Sequence, residues 1–128
     1  MTAAKKRENY NKARIRRHMP HQVALPDEYC CLENYEVLRD FNARFDPEPG
    51  IMSVTAKWPS GYQRDFRLFC FAQAEDAAEF AAHFEGEMFD PKWREGGRIN
   101  GVWIREGRAR AIEQCGPLKL PRFFKENP

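Results

Sequence analysis

Residues 51–72 contain two strand-like stretches joined by a turn, and this pattern constrains the fold more than any other feature of the chain. In "IMSVTAKW", residues 51–58, apolar and polar side chains alternate, which is typical of a β-strand with one buried face. "PSGY" supplies the Pro and Gly of a tight turn. "QRDFRLFCFA", residues 63–72, supplies the return strand. We predict an antiparallel hairpin here.

Two amphipathic segments flank this hairpin. The first, residues 27–45, repeats apolar residues at helical spacing: Cys31, Tyr35, Leu38, Phe41 and Phe45. The second, residues 75–84, has an apolar stripe and acidic residues in its first turn. Short apolar stretches at 21–26 and 87–89 read as strands. The order strand, helix, strand, strand, helix, strand predicts an α+β, ferredoxin-like βαββαβ fold, with two helices on one face of a four-stranded antiparallel sheet.

A chain of 128 residues is long enough for one domain with extensions. We predict a basic N-terminal arm or helix at residues 1–20 and the ferredoxin-like domain at residues 21–91. The C-terminal extension, residues 92–128, is predicted to contain one added strand in "INGVWI" and a basic tail.

Charge is strongly segregated along the chain. Residues 1–20 have a net charge of +6, residues 21–91 have −9, and residues 92–128 have +5. The cations of the N-terminal arm are Lys5, Lys6, Arg7, Lys12, Arg14, Arg16 and Arg17. Two interpretations remain open: the basic ends pair with the acidic centre, or they contact an anionic partner such as nucleic acid.

The aromatic strand at 63–72 raises the question of which face its rings occupy. By alternation, Arg67, Phe69 and Phe71 share one face. Burying the Arg67 guanidinium beneath two helices without a partner would be costly. We therefore predict that these three residues stand on the open sheet face beside Lys57. This face would contact a protein partner, a second copy of the chain, or nucleic acid.

The run Arg67, Phe69, Cys70 and Phe71, followed by a helix that ends near Gly86, resembles the RNA recognition motif family. In that family a basic residue, an aromatic, a small residue and a second aromatic follow one another on a strand. Leu68 stands where the family has Gly. The resemblance implies an open sheet face that binds single-stranded RNA by stacking bases on the rings.

Other chemistries find little support in the sequence. Cys30 and Cys31 are adjacent, whereas zinc ligands are usually two to four residues apart. Neither a phosphate-binding glycine loop nor a serine-nucleophile turn is present. The first seventeen residues contain no continuous apolar stretch. We therefore expect a cytoplasmic protein with free thiols, no metal, no cofactor and no membrane partner.

These observations favour a small, non-enzymatic interaction module. It would bind a protein partner or itself through the open sheet face. The first alternative is a nucleic-acid-binding protein that uses the sheet face, the basic tails or both. The second is a cofactor-free enzyme or small-ligand binder in a ferredoxin-like dimer.

Overall fold

The computed structural model describes residues 12–110 and 114–119. Three α-helices and five β-strands are formed within these ranges. The helices are α1 (Lys12–His18), α2 (Tyr35–Asn42) and α3 (Ala74–Phe84). The strands are β1 (His21–Pro26), β2 (Gly50–Lys57), β3 (Gln63–Phe71), β4 (Glu87–Phe89) and β5 (Trp103–Ile104). Short 3-10 turns lie at Asp27–Tyr29, Leu32–Asn34, Pro91–Trp93 and Glu95–Gly97.

The five strands form one mixed sheet in the order β4-β1-β3-β2-β5. The predicted hairpin is confirmed, since β2 and β3 pair antiparallel with Ser53 opposite Arg67. β5 pairs with β2 in parallel, and the sheet curls into a half-barrel. The prediction of a four-stranded, antiparallel, ferredoxin-like sheet with two helices is therefore wrong. A fifth strand continues the sheet beyond β2, and a third helix packs against it.

β3 lies at the centre of the sheet and is buried on both faces over its second half. Leu68, Phe69, Cys70 and Phe71 are all buried. On one face, Phe69 and Phe71 join an apolar cluster with side chains of α2 and α3, including Phe41, Phe80 and Phe84. This face is the one that the two amphipathic segments cover.

The second face is covered as well. Ile15 of α1 and Met19 pack against Leu68, Cys70 and the apolar side of β2. Trp103 of β5 joins the same cluster, with its ring centroid 5.4 Å from that of Phe66. The described residues therefore form three layers, with the sheet between α2 and α3 on one side and α1 and the 94–105 segment on the other.

The segment expected to form one helix over residues 27–45 forms only a short one. Leu32 has a positive φ of 54°, and Cys31 before it is extended. Neither conformation belongs to an α-helix, so the first half of the segment forms two 3-10 turns. This leaves α2 with eight residues.

Candidate anion-binding groove

The predicted contact face is not exposed at its aromatic residues. Phe69 and Phe71 are 3% and 1% exposed. Their rings lie 4.8 and 5.3 Å from the ring of Phe80 in α3. The predicted sharing of one face by Arg67, Phe69 and Phe71 is correct, but that face lies under the helices. The stacking platform that the resemblance to the RNA recognition motif implied is therefore not formed by these rings.

The contacts of Arg67 explain why the predicted orientation of β3, with Arg67, Phe69 and Phe71 on an open face, is wrong. Its guanidinium extends from beneath the helix layer and donates to the carbonyl oxygen of Cys30 at 3.0 Å. It also pairs with the carboxylate of Asp27 at 3.2 Å. The side chain is 29% exposed, so the desolvation cost that argued against this face is largely avoided. Lys57, at the end of β2, is exposed and lies far along the hairpin from the two rings.

The predicted basic arm is described only in part. Lys5, Lys6 and Arg7 lie outside the described residues. Lys12, Arg14, Arg16 and Arg17 belong to α1. Ile15 is the buried residue of this helix, while Lys12, Arg14 and Arg17 are exposed and Arg16 is partly exposed. α1 thus forms a cationic wall that packs on the sheet through its buried residue, Ile15.

The opposite wall is the loop at residues 94–102, which is held in place by Arg94. This arginine is only 5% exposed. Its guanidinium donates to the carbonyl oxygens of Gly101 at 3.0 Å and Ser53 at 2.8 Å. Burial lowers the pKa of Arg94 from its ordinary value. A buried cation bonded to two carbonyls ties the loop to the outer edge of β2.

The loop closes tightly on itself at Gly101. A Cβ at this position would lie 2.6 Å from the carbonyl oxygen of Glu95, so only glycine fits. The Glu95 amide in turn donates to the carbonyl of Val102 at 2.8 Å. Together these contacts make the loop a compact unit, and its residues Arg98 and Ile99 line a groove against α1.

The groove between α1 and this loop has a volume of about 910 Å³. Lys12 bridges the walls by donating to the Asn100 side chain at 2.9 Å, and Arg16 donates to the carbonyl of Gly97. The lining residues are Ala13, Arg16, Arg17, Glu95, Arg98, Ile99, Asn100, Gly101 and Val102. Three arginines and one glutamate therefore line this groove, together with apolar residues such as Ile99 and Val102.

The arginines of this groove have no carboxylate partner among the described residues. The five ion pairs between described residues involve Arg39, Arg44, Arg64, Arg67 and Arg105. Arg16, Arg17 and Arg98 are in none of them. The sequence analysis identified the α1 cations but assigned no binding residue to the C-terminal extension, residues 92–128. It missed Arg94 and Arg98, whose available signal was the +5 charge of the C-terminal extension.

A second cationic groove lies beside the hairpin and is lined by Arg64, Arg105, Arg108 and Arg110. Its charges are partly neutralised. Arg105 makes two bonds to the Glu87 carboxylate, at 3.1 and 3.3 Å, and Arg64 pairs with Glu28. Arg105 also stacks on Trp103, with its guanidinium carbon 4.0 Å from the ring centroid. These contacts hold the segment around Arg105 in place and leave Arg64 and Arg105 less available to an anion.

The four thiols are free and poorly suited to nucleophilic chemistry. Burial raises the pKa of Cys30 and of Cys31. It raises the pKa of Cys70 to about 12 and that of Cys115 to about 11. A thiol with a raised pKa stays protonated at neutral pH, and the thiolate is the reactive form. Cys30, Cys70 and Cys115 are buried in the core, whereas Cys31 is partly exposed.

This burial predicts a loss of stability at alkaline pH. The thiol of Cys70 ionises near pH 9 in the unfolded chain but only near pH 12 when folded. Between these values the unfolded state releases the proton, so stability falls as pH rises. From pH 8 to pH 10 the natural chain should lose about 1.4 kcal/mol more than Cys70→Ala. Urea unfolding under reducing conditions measures this difference, and parallel pH profiles would contradict it.

Comparison of the chain with protein-family models, curated proteins and solved structures finds no match. Among residues 12–110 and 114–119, no helix has the length and apolar character needed to cross a bilayer. The same residues contain no group of three or more His, Cys, Asp or Glu side chains arranged to hold a metal ion.

Proposed function

We propose that the protein binds the phosphate backbone of nucleic acid, without sequence preference, through the groove between α1 and the 94–102 loop. One observation carries the proposal: Arg16 and Arg17, from one basic end of the chain, and Arg98, from the other, line a single groove without ion-pair partners among the described residues. Planar guanidinium groups match the geometry of phosphate oxygens.

A linear polyanion fits this arrangement better than a compact anionic ligand does. In the sequence, only the two residues of β5 separate Val102, which lines the first groove, from Arg105, which lines the second. Arg108 and Arg110 of the second groove have no ion pair with a described residue. Cations spaced along one segment suit a ligand that repeats its charge along a chain.

The interaction hypothesis requires an open sheet face, but both faces of the sheet are covered by packed side chains. The nucleic-acid hypothesis retains its basic ends, and these now include a defined groove. The acidic centre of the chain, with its net charge of −9, is used partly in ion pairs on the other side of the sheet, such as Arg44 with Glu79.

The experiment is a salt titration of binding to a fluorescent single-stranded oligothymidine, comparing the natural chain with Arg17→Ala/Arg98→Ala. Losing two phosphate contacts should reduce the slope of log affinity against log salt by about 1.4 and the affinity at ~0.1 M salt by about 25-fold. Arg16 is left intact because it also holds the loop through Gly97.

The matched control is Arg39→Ala/Arg44→Ala. It removes the same formal charge from exposed side chains in and next to α2, on the opposite side of the sheet. Screening over about 10 Å at this salt should limit its effect to about threefold. Equal losses in both variants would show that only net charge matters. Competition by poly-L-glutamate as strong as that by the oligonucleotide would instead favour an acidic protein partner, and either result would reject the proposal.

A further inference from the structure

The Trp93 indole is half in water, although tryptophan is the largest apolar side chain and is normally well buried. Of the three tryptophans in the chain, Trp58 and Trp103 are buried, whereas Trp93 is 49% exposed. The centroid of its ring lies 6.1 Å from that of Trp103, with 21° between the ring planes, and 6.0 Å from that of Phe89, which it meets edge to face. These contacts hold one side of the indole in place and leave the rest available to a partner.

This ring lies close to both cationic grooves. Arg94, the next residue, forms an antiparallel bridge with Trp103 of β5, so Trp93 lies beside this strand. Glu95, two residues further along the chain than Trp93, lines the first groove. Towards the second groove, the guanidinium carbon of Arg105 is 4.0 Å from the centroid of the Trp103 ring, and Arg105 lines that groove. A polyanion that extends from one groove to the other would therefore pass near the exposed indole.

A nucleic-acid strand offers aromatic surfaces as well as phosphates. Every base has a flat π-face that stacks on an aromatic side chain whatever the sequence. In a duplex these faces are stacked on one another, and a ring at the protein surface reaches them only by unstacking the helix. In a single strand the bases are free to turn towards the protein. An exposed ring beside a row of cations is therefore suited to a strand whose bases are unpaired.

We propose that the Trp93 indole stacks on a base of a single-stranded nucleic acid, so that unpaired bases add to the affinity that the phosphates supply. This inference rests on the function proposed above, because the arginines of the two grooves hold the backbone that brings a base to the ring. Trp93 is then the residue that distinguishes single strands from duplexes. Stacking tolerates any base, and it therefore agrees with binding that has no sequence preference.

The test compares three probes of equal length on the full chain at fixed salt. The first is fluorescent oligothymidine, the second is the same strand with every base replaced by an abasic spacer, and the third is oligothymidine paired with oligoadenosine. The abasic strand keeps the phosphates and loses the stacking surface. Oligothymidine should bind the natural chain at least about fivefold more tightly than the abasic strand, which corresponds to the weakest stacking expected for one base.

Trp93→Leu keeps an apolar side chain against Phe89 and Trp103 but removes the π-face. It should weaken oligothymidine binding by at least about fivefold and leave the affinities for the abasic strand and the duplex unchanged, which shows that the grooves are intact. Trp93→Phe retains a ring and should keep most of the oligothymidine affinity. The matched control is Tyr35→Leu, which removes an exposed ring at the start of α2, on the other side of the sheet, and should change none of the three affinities.

Tryptophan emission gives a second readout, because Trp93 is more exposed to water than the other two indoles. Oligothymidine should quench this emission, the abasic strand should not, and the quenching should disappear in Trp93→Phe. Equal affinities for oligothymidine and the abasic strand, or undiminished oligothymidine binding in Trp93→Leu, would overturn the inference and leave the proposed function in place. An equal loss of all three probes in Trp93→Leu would also overturn it, since Trp93 would then only hold the grooves. The lack of salt-dependent binding to any probe would reject both proposals.

Discussion

Phe80→Ala should destabilise the protein by about 3–5 kcal/mol, a large part of the stability of a domain of this size. Phe80 is 0% exposed and lies at the centre of the aromatic cluster under α3. Four rings surround it with centroids 4.8–6.0 Å away: Phe41, Phe69, Phe71 and Phe84. Removing the central ring leaves a cavity that these neighbours cannot fill without breaking their mutual contacts.

Urea unfolding monitored by circular dichroism measures this effect. Tyr62→Ala is the control, because it removes an aromatic ring that is 48% exposed at the hairpin turn. It should cost less than about 1 kcal/mol. A loss below about 1.5 kcal/mol for Phe80→Ala would contradict close packing of the helix-covered face, because a filled aromatic core does not tolerate such a deletion.

Trp103→Ala should cost a similar amount, about 3–5 kcal/mol, and should also loosen the groove between α1 and the 94–102 loop. Trp103 is 3% exposed, and its ring packs against Phe66, Phe89 and Trp93. β5 has only two residues, so two ladder pairs alone cannot hold it on β2. The indole therefore anchors the C-terminal part of the 94–105 segment to the sheet, as Arg94 anchors its first part.

Hydrogen exchange distinguishes this anchoring role from a general loss of stability. The Arg105 amide donates to the Lys57 carbonyl at 2.8 Å and should lose its protection in Trp103→Ala, while amides of β1 and β3 keep theirs under native conditions. Ile104→Ala is the matched control in the same strand, because Ile104 is 51% exposed. Its cost should stay below about 1 kcal/mol. Retained Arg105 protection in Trp103→Ala would contradict the anchoring role.

Local patterns predicted most of the strands and one of the helices. The alternation over 51–58, the turn at 59–62 and the return strand correspond closely to β2 and β3. The predicted strands at 21–26 and 87–89 match β1 and β4, and the helix predicted over 75–84 matches α3 within one residue. Each of these elements is specified by the side chains inside it.

The face of β3 was harder to predict because the decisive partners are distant in sequence. Alternation identifies which residues share a face, but it does not say which layer covers them. The uninterrupted apolar run Leu68, Phe69, Cys70 and Phe71 was an available signal for a strand buried on both sides. A strand buried on both sides needs a second covering layer. The N-terminal segment contributes only Ile15 of α1 and the nearby Met19 to that layer, which is too weak a signal to recognise in the sequence.

The grooves depend on the same long-range assembly. Arg17 and Arg98 are far apart in the chain, and only the packing of α1 and the loop on one sheet face brings them together.

Both margins of the sheet are short, since β4 has three residues and β5 has two. The eight-residue β2 would otherwise present a long row of unpaired carbonyls, but Arg94 occupies the Ser53 carbonyl at that margin. A foreign strand could not pair there without first displacing a buried guanidinium. The fold thereby protects its central hairpin from runaway strand-to-strand polymerisation, and fibre growth from the native state should be slow even at high concentration.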